Sequence, residues 1–333
     1  MEQKNKRIFG YDAIKALAAF FVVLYHVGMV DMGYRDGEYY YPTIAQFLWL
    51  FDACGVPLFF MANGALTVSR HYDFKKSMTK ACRLLALGVF WGVLVMCEHA
   101  SFYGTSYFAV PKVFYFWFLF SLAIMYIASY VLGQLKPWCR WAVIVLLLIF
   151  PFTTNMIWDF IQLFRPEYGL PKWGHIGVFM LYGIVYLYAG DYLAHHRVGK
   201  WVPWLCAIIG LALLVIETIA VVNRTHMKFE GGNYCFPTMG ALLLSCAVFI
   251  WVKDWNLKDS ILKRFITFLG NNALGIYIFH LMIMFLLGRL FPQITGSYVH
   301  PVLAIVITLA YMVVSASISE LIRRSPLSFL LKL

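Results

Sequence analysis

Apolar residues run along this chain in long blocks, and polar residues gather in the short intervals between them. Ten blocks are long enough to read as membrane-crossing helices, since a bilayer core takes roughly 20 apolar residues per helix. They fall at about Ile8–Val30, Ile44–Val68, Cys82–Phe102, Val113–Leu132, Trp141–Trp158, Gly174–Leu193, Trp201–Val222, Tyr234–Val252, Phe265–Leu290 and Val302–Leu321. The fifth is the weakest, because Pro151 interrupts it. The pattern predicts an all-α fold, a polytopic membrane helix bundle of about ten transmembrane helices. No internal repeat is visible. The first block carries Asp12 and Lys15 and is too long for the apolar core of a cleavable signal. The chain stops soon after the tenth block, so the expectation is a single transmembrane domain over 1–333 with no attached soluble domain.

Composition sharpens this picture. Hydrophobic residues make up 62%, charged residues 13%, and mean hydropathy is +0.74. A soluble domain carries roughly 45–50% apolar and about 25% charged residues. A soluble globular enzyme, a disordered chain and a collagen-like fibre are therefore excluded. Lys plus Arg is 27 against 16 for Asp plus Glu, a formal balance of +11. With the N-terminus inside, nineteen of these cations fall in inner segments and seven in outer ones. That bias predicts both termini in the cytoplasm and makes nucleic acid an unneeded explanation of the charge. The seven cysteines include no C-x-x-C and lie mostly inside apolar blocks, which argues against a disulfide framework or a zinc cluster. No metal is expected. G-x-S-x-G, Walker A and H-E-x-x-H patterns are absent, so hydrolase, ATPase and zinc-protease readings lack support.

Ionisable side chains at membrane depth are costly and mark candidate function. In the first block Lys15 and His26 are eleven residues apart, almost three full turns, so they share one face about 16 Å apart along the axis. A long ligand lying on that face would meet Lys15 with an anionic end and bring its other end to His26. A buried histidine bonded to a carbonyl, and a lysine snorkelling or paired with Asp12, are the structural alternatives. Asp52 falls at the depth of His26 and is the first candidate to hold its ring. Glu98 and Glu217 lie toward the outer side and His280 near mid-span, together suggesting a polar cavity that opens outward and binds substrate. Near the inner surface, Lys80 and Arg83 are three residues apart within a basic run, which is either ordinary anchoring or a phosphate site. The outer aromatic clusters, Tyr39–Tyr41 and Tyr168, Trp173 and Tyr298, serve as interface belts or sugar-stacking platforms.

These residues carry a family likeness. The stretch from Asp12 through Lys15 to His26 resembles the first span of the acyltransferase-3 family of integral-membrane acyltransferases, which has Asp, then Arg, then ten residues, then His. Gly55–Gly64, Lys80-Ala-Cys-Arg83, Trp117–Phe120, Gly270-Asn-Asn through Ile276-Tyr-Ile-Phe-His280 and Arg323-Arg324-Ser-Pro326 resemble further family segments in the same order. The departures are Lys15 and Lys80 where the family has Arg, and Asn63 where it has Ser. Lys keeps the charge and loses the planar fork. The resemblance implies transfer of an acyl group, commonly acetyl from acetyl-CoA, to a hydroxyl of a carbohydrate or other envelope acceptor. On that reading Lys15, Lys80 and Arg83 hold the donor phosphates and His26 is the general base, the alternative being a nucleophile that carries the acyl group. It also implies a multi-pass protein in contact with membrane lipids, in the cytoplasmic membrane of a bacterium. The rival reading is a transporter or exporter of a polysaccharide or small metabolite, which polar groups in a bundle also suit.

Overall fold

The computed structural model describes the backbone over residues 8–31, 34–35, 38–39, 50–68, 73–103, 116–153, 156–157, 160–161, 164–165, 181–225, 238–290 and 301–331. Side chains are described throughout these except at 28–39, 99–103, 218–225, 288–289 and 301. Eleven long helices carry the architecture among the described residues: α1 (Phe9–Asp31), α2 (Gly55–Thr67), α3 (Phe74–Tyr103), α4 (Trp117–Gln134), α5 (Pro137–Leu147), α6 (Tyr182–His195), α7 (Val202–Thr225), α8 (Met239–Lys253), α9 (Ile261–Asn271), α10 (Ala273–Leu290) and α11 (Pro301–Arg324). The only strands among them are two-residue pieces, Tyr34–Arg35 against Glu38–Tyr39.

All ten expected blocks overlap helices, but the count of ten spans does not follow from the helices' lengths. Five described helices are long and apolar enough to cross a bilayer, or six if the bent pair α9–α10 is one span. Two shorter apolar helical stretches cover Pro137–Thr153 and Met239–Lys253, and α7 is described with its side chains over Val202–Glu217. The fifth block shows why the rule of continuous length fails. Pro137 opens α5 at a position where its missing N–H costs nothing, and Pro151 then falls in a π-type turn over Leu148–Thr153. The ninth block breaks at Asn272, where α9 and α10 meet at 75°.

Helix α1 is buried on almost every side. Phe9, Ala13, Ile14, Ala16, Ala18, Ala19, Phe21, Val22, Val23, Leu24 and Val27 all belong to the core. A helix apolar all round takes the centre of a bundle, and its alanines let neighbours approach closely. It packs against α2, α8, α9, α10 and α11. By contrast α3 buries one stripe, Ala81, Leu84, Leu87, Trp91 and Val95, and exposes Leu85, Val89, Phe90, Val93 and Leu94. In a bilayer that second face meets lipid.

Helices α2 and α6 form the closest pair around this centre. A Cβ on Gly64 would overlap the Leu187 carbonyl, and one on Gly190 would overlap the Met61 carbonyl. Phe60 meets Tyr182 at the other end of the contact, so the two helices run parallel, as a second and a sixth crossing should. At the end of the bundle where α1 begins, Gly10 abuts the Lys253 carbonyl of α8 and Gly270 abuts the Asp12 carbonyl. Lys253 there donates to the Leu193 carbonyl of α6. In the α8–α9 connection Arg264 donates to Asp259 at 2.8 Å. That hydrogen bond, with the guanidinium charge, holds the exposed Asp259 carboxyl below its ordinary range.

The bend at Asn272 is fastened to α11. Asn272 is 1% exposed. Its Nδ2 donates to the Phe268 carbonyl at 3.0 Å and to Glu320 Oε2 at 3.3 Å, and its Oδ1 accepts from Ser319 Oγ at 2.9 Å. Glu320 also accepts from Arg324 Nε at 2.8 Å, and Arg323 donates to the Asn271 carbonyl at 3.0 Å. Asparagine offers the backbone a local alternative to helix. Here it ends α9 and sets the direction of α10.

Candidate active site

The bend matters because His280 sits two turns beyond it. The ring centroids of His280 on α10 and His26 on α1 are 5.1 Å apart, inclined at 45°. Tyr25 edges His26 at 5.1 Å, and Tyr277 stands 6.1 Å from His280. Tyr277 in turn packs on Phe118 of α4 at 5.2 Å, and Phe118 on Phe59 and Phe60 of α2. Four helices thus wall one aromatic cluster with two imidazoles in it.

Hydrogen bonding fixes the state of one ring. His280 Nδ1 lies 2.9 Å from the Ile276 carbonyl. A carbonyl only accepts, so Nδ1 carries the proton and Nε2 of the neutral ring holds a lone pair. His280 is fully buried, and that Nε2 has no hydrogen-bond partner among the described residues. A buried acceptor without a donor is costly, and its natural complement is an O–H or N–H supplied by a ligand.

Asp52 repeats this condition. It is 6% exposed, and its Oδ1 is buried without a partner among the described residues. Its depth follows from the α1–α2 contact. A Cβ on Gly55 would sit 3.1 Å from the Val22 backbone nitrogen, so these residues are level. Asp52 is three residues back from Gly55 and His26 four on from Val22, which are rises of about 4.5 and 6 Å toward the same end. The two side chains share a level, yet no hydrogen bond or ion pair joins them among the described residues. The histidine beside His26 is His280, which the sequence placed with the substrate.

The stripe from Lys15 to His26 is not an open groove. Its midway residues Ala19 and Val22 are 1% and 7% exposed, and Val22 abuts Gly55. Helix α2 fills the line along which a ligand arm was expected to lie. Lys15 itself is half-buried near the start of α1.

The second expected pair is also separated. Lys80 is half-buried, with its Nζ 5.1 Å from the ring centroid of Tyr126 on α4. Arg83 is exposed. Residues three apart stand about 60° from each other around a helix. The buried stripe of α3 passes on the Lys80 side, which turns Arg83 outward. A cation that sequence reasoning counted only toward orientation, Arg140, lines a cavity of about 300 Å³ together with Tyr126. Glu98 is half-buried on α3 and Glu217 is 7% exposed on α7, helices that pack chiefly on α4 and α8. Tyr40, Tyr41, Tyr168, Trp173 and Tyr298 lie outside the described residues. So does the side chain of Tyr39. Among the described residues no group of three His, Cys, Asp or Glu side chains is placed to hold a metal ion.

The family model described as "Acyltransferase domain" matches this chain over residues 8–321. No curated protein and no solved structure matches it.

Proposed function

Since this chain belongs to the acyltransferase-3 family and is a multi-pass membrane acyltransferase, we propose that it moves an acetyl group from cytoplasmic acetyl-CoA to a hydroxyl of a cell-envelope carbohydrate, with His26 as general base. The observation that carries this reading is the His26–His280 contact at 5.1 Å, together with the His280 Nε2 and Asp52 Oδ1 acceptors that lack donors among the described residues. His280 Nε2 and Asp52 Oδ1 both await hydrogen, and a polyhydroxylated acceptor brings several O–H groups.

The chemistry then runs as an acyl transfer. The acceptor oxygen attacks the thioester carbonyl while His26 takes its proton. The new C–O bond forms as the C–S bond breaks, and the leaving thiolate takes the proton from imidazolium. His280, held by the Ile276 carbonyl, keeps the His26 ring in place and offers its lone pair to a second hydroxyl. The basic inner mouth suits the anionic end of the donor, and Lys15 and Lys80 stand at that end of the bundle.

The test is thioester turnover by purified protein in detergent, with acetyl-CoA and a panel of sugars, followed by thiol release. Acceptor-dependent release that disappears in His26→Ala supports the reading. Turnover that survives His26→Ala removes the assigned base. Absence of both turnover and acetyl-CoA binding moves the weight to transport of the same solutes.

A further inference from the structure

We infer that the donor's phosphate-bearing nucleotide end seats in the cavity lined by Arg140, and that Arg140, not Arg83, is the partner of Lys80 in holding it. This rests on the acyl-CoA reading above and names where that donor is gripped. The cavity of about 300 Å³ lies where the C-terminal ends of α2 and α4 meet the start of α3 and α5. This is the end of the bundle from which α1 starts, the cytoplasmic end by the bias in Lys and Arg.

Its wall has the chemistry of a phosphate and sugar site. Arg140 supplies a guanidinium fork, which matches phosphate oxygens bidentately. Ser77, Ser129, Tyr126 and Tyr130 supply hydroxyls. Lys80 stands over the ring of Tyr126 from the α3 side, and Tyr126 is part of the same cavity wall as Arg140. The wall also includes an acid, Asp73. Its Oδ1 accepts the Lys76 N–H at 2.7 Å, which commits it to the N-terminus of α3. Phe74 and Tyr130, edge to face at 5.5 Å, add an aromatic corner for a base. Tyr126, on the cavity wall, shares α4 with the aromatic cluster around the histidines. Phe118, which touches Tyr277, is eight residues along α4 from Tyr126, about 12 Å.

Calorimetric titration of coenzyme A into the purified full-length protein tests this. Arg140→Ala should weaken binding at least tenfold, Arg140→Lys should recover part of it, and Arg83→Ala should change it less than twofold. Steady-state turnover of Arg140→Ala should show raised KM for acetyl-CoA with kcat kept. Gly133→Leu serves as a second variant that spares Arg140. Gly133 lines the cavity, and a Cβ there meets nothing within 4 Å, so the larger side chain blocks the space without a clash at its root. It should weaken coenzyme A binding while leaving the melting temperature unchanged or raised. Wild-type-like binding by both Arg140→Ala and Gly133→Leu overturns the site and leaves the donor reading standing. No binding of coenzyme A by the wild type overturns both.

Discussion

A histidine that only fills space in a helix bundle has both nitrogens accounted for. Among the described residues His280 has one, Nδ1, tied to the Ile276 carbonyl, and the other left bare in full burial 5.1 Å from a second imidazole. The same contrast marks Asp52, whose Oδ1, without a partner among the described residues, lies at the level of His26. Replacing Asp52 by Asn keeps the shape, removes the charge and adds a donor. The expected result is weaker acceptor binding, seen as a rise of about tenfold in acceptor KM, with acetyl-CoA KM unchanged. A fall in acetyl-CoA affinity alone would place Asp52 with the donor instead. His26 was legible in the sequence because a titratable group at membrane depth stands out, and its separation from Lys15 is plain arithmetic. The partnership with His280 was not legible, since it depends on how α10 is aimed. Nor was the outward turn of Arg83, because both sides of α3 are apolar and the sequence does not say which meets lipid.

At the scale of elements, the joint between α9 and α10 aims the site. Asn272 carries three side-chain hydrogen bonds at 1% exposure, two of them to α11. Asn272→Ala leaves Ser319 and Glu320 without that partner, at a cost of about 1–3 kcal/mol. The expected outcome is a lowered melting temperature together with a fall in kcat, because α10 loses its setting. A variant with normal kcat would show that the bend does not control His280. The parallel α2–α6 contact gives a purer stability case. Gly64→Ala drives a Cβ into the Leu187 carbonyl, and overpacking of this kind costs about 1–3 kcal/mol or more. Thermal unfolding in detergent should show a clear downward shift, and an unchanged midpoint would mean the two helices are not held at this distance. Hydropathy located both helices, yet the ninth block read as one continuous run. Gly270, Asn271 and Asn272 are its breaking point, and their effect on direction comes from α11, more than forty residues away in sequence.

For the whole molecule, the central helix and the alternation of directions define one end where Gly10, Lys253, Gly270 and the Arg140 cavity lie. The orientation proposed from the excess of Lys and Arg puts that end in the cytoplasm. In a cysteine-free background, a cysteine at exposed Asp259 should react with a membrane-impermeant maleimide only after cells are opened. Labelling of intact cells would invert the orientation and with it the side from which the donor arrives. The all-α bundle was legible from composition and block length. The number of crossings was not, because helices such as α5 and α8 are shorter than a bilayer is thick.

The proposed catalysis requires His26 and His280 to act as one unit, and a double-mutant cycle on acyl transfer tests this most directly. Acetyl-CoA turnover with a responsive acceptor would be measured for the wild type, His26→Ala, His280→Ala and the double variant, each checked for its melting temperature. We expect His26→Ala to lose about 10²–10⁴-fold in kcat, and the double variant to be no slower than His26→Ala alone. Fully additive losses, or a His280→Ala enzyme as fast as the wild type, would contradict the pairing as a catalytic device.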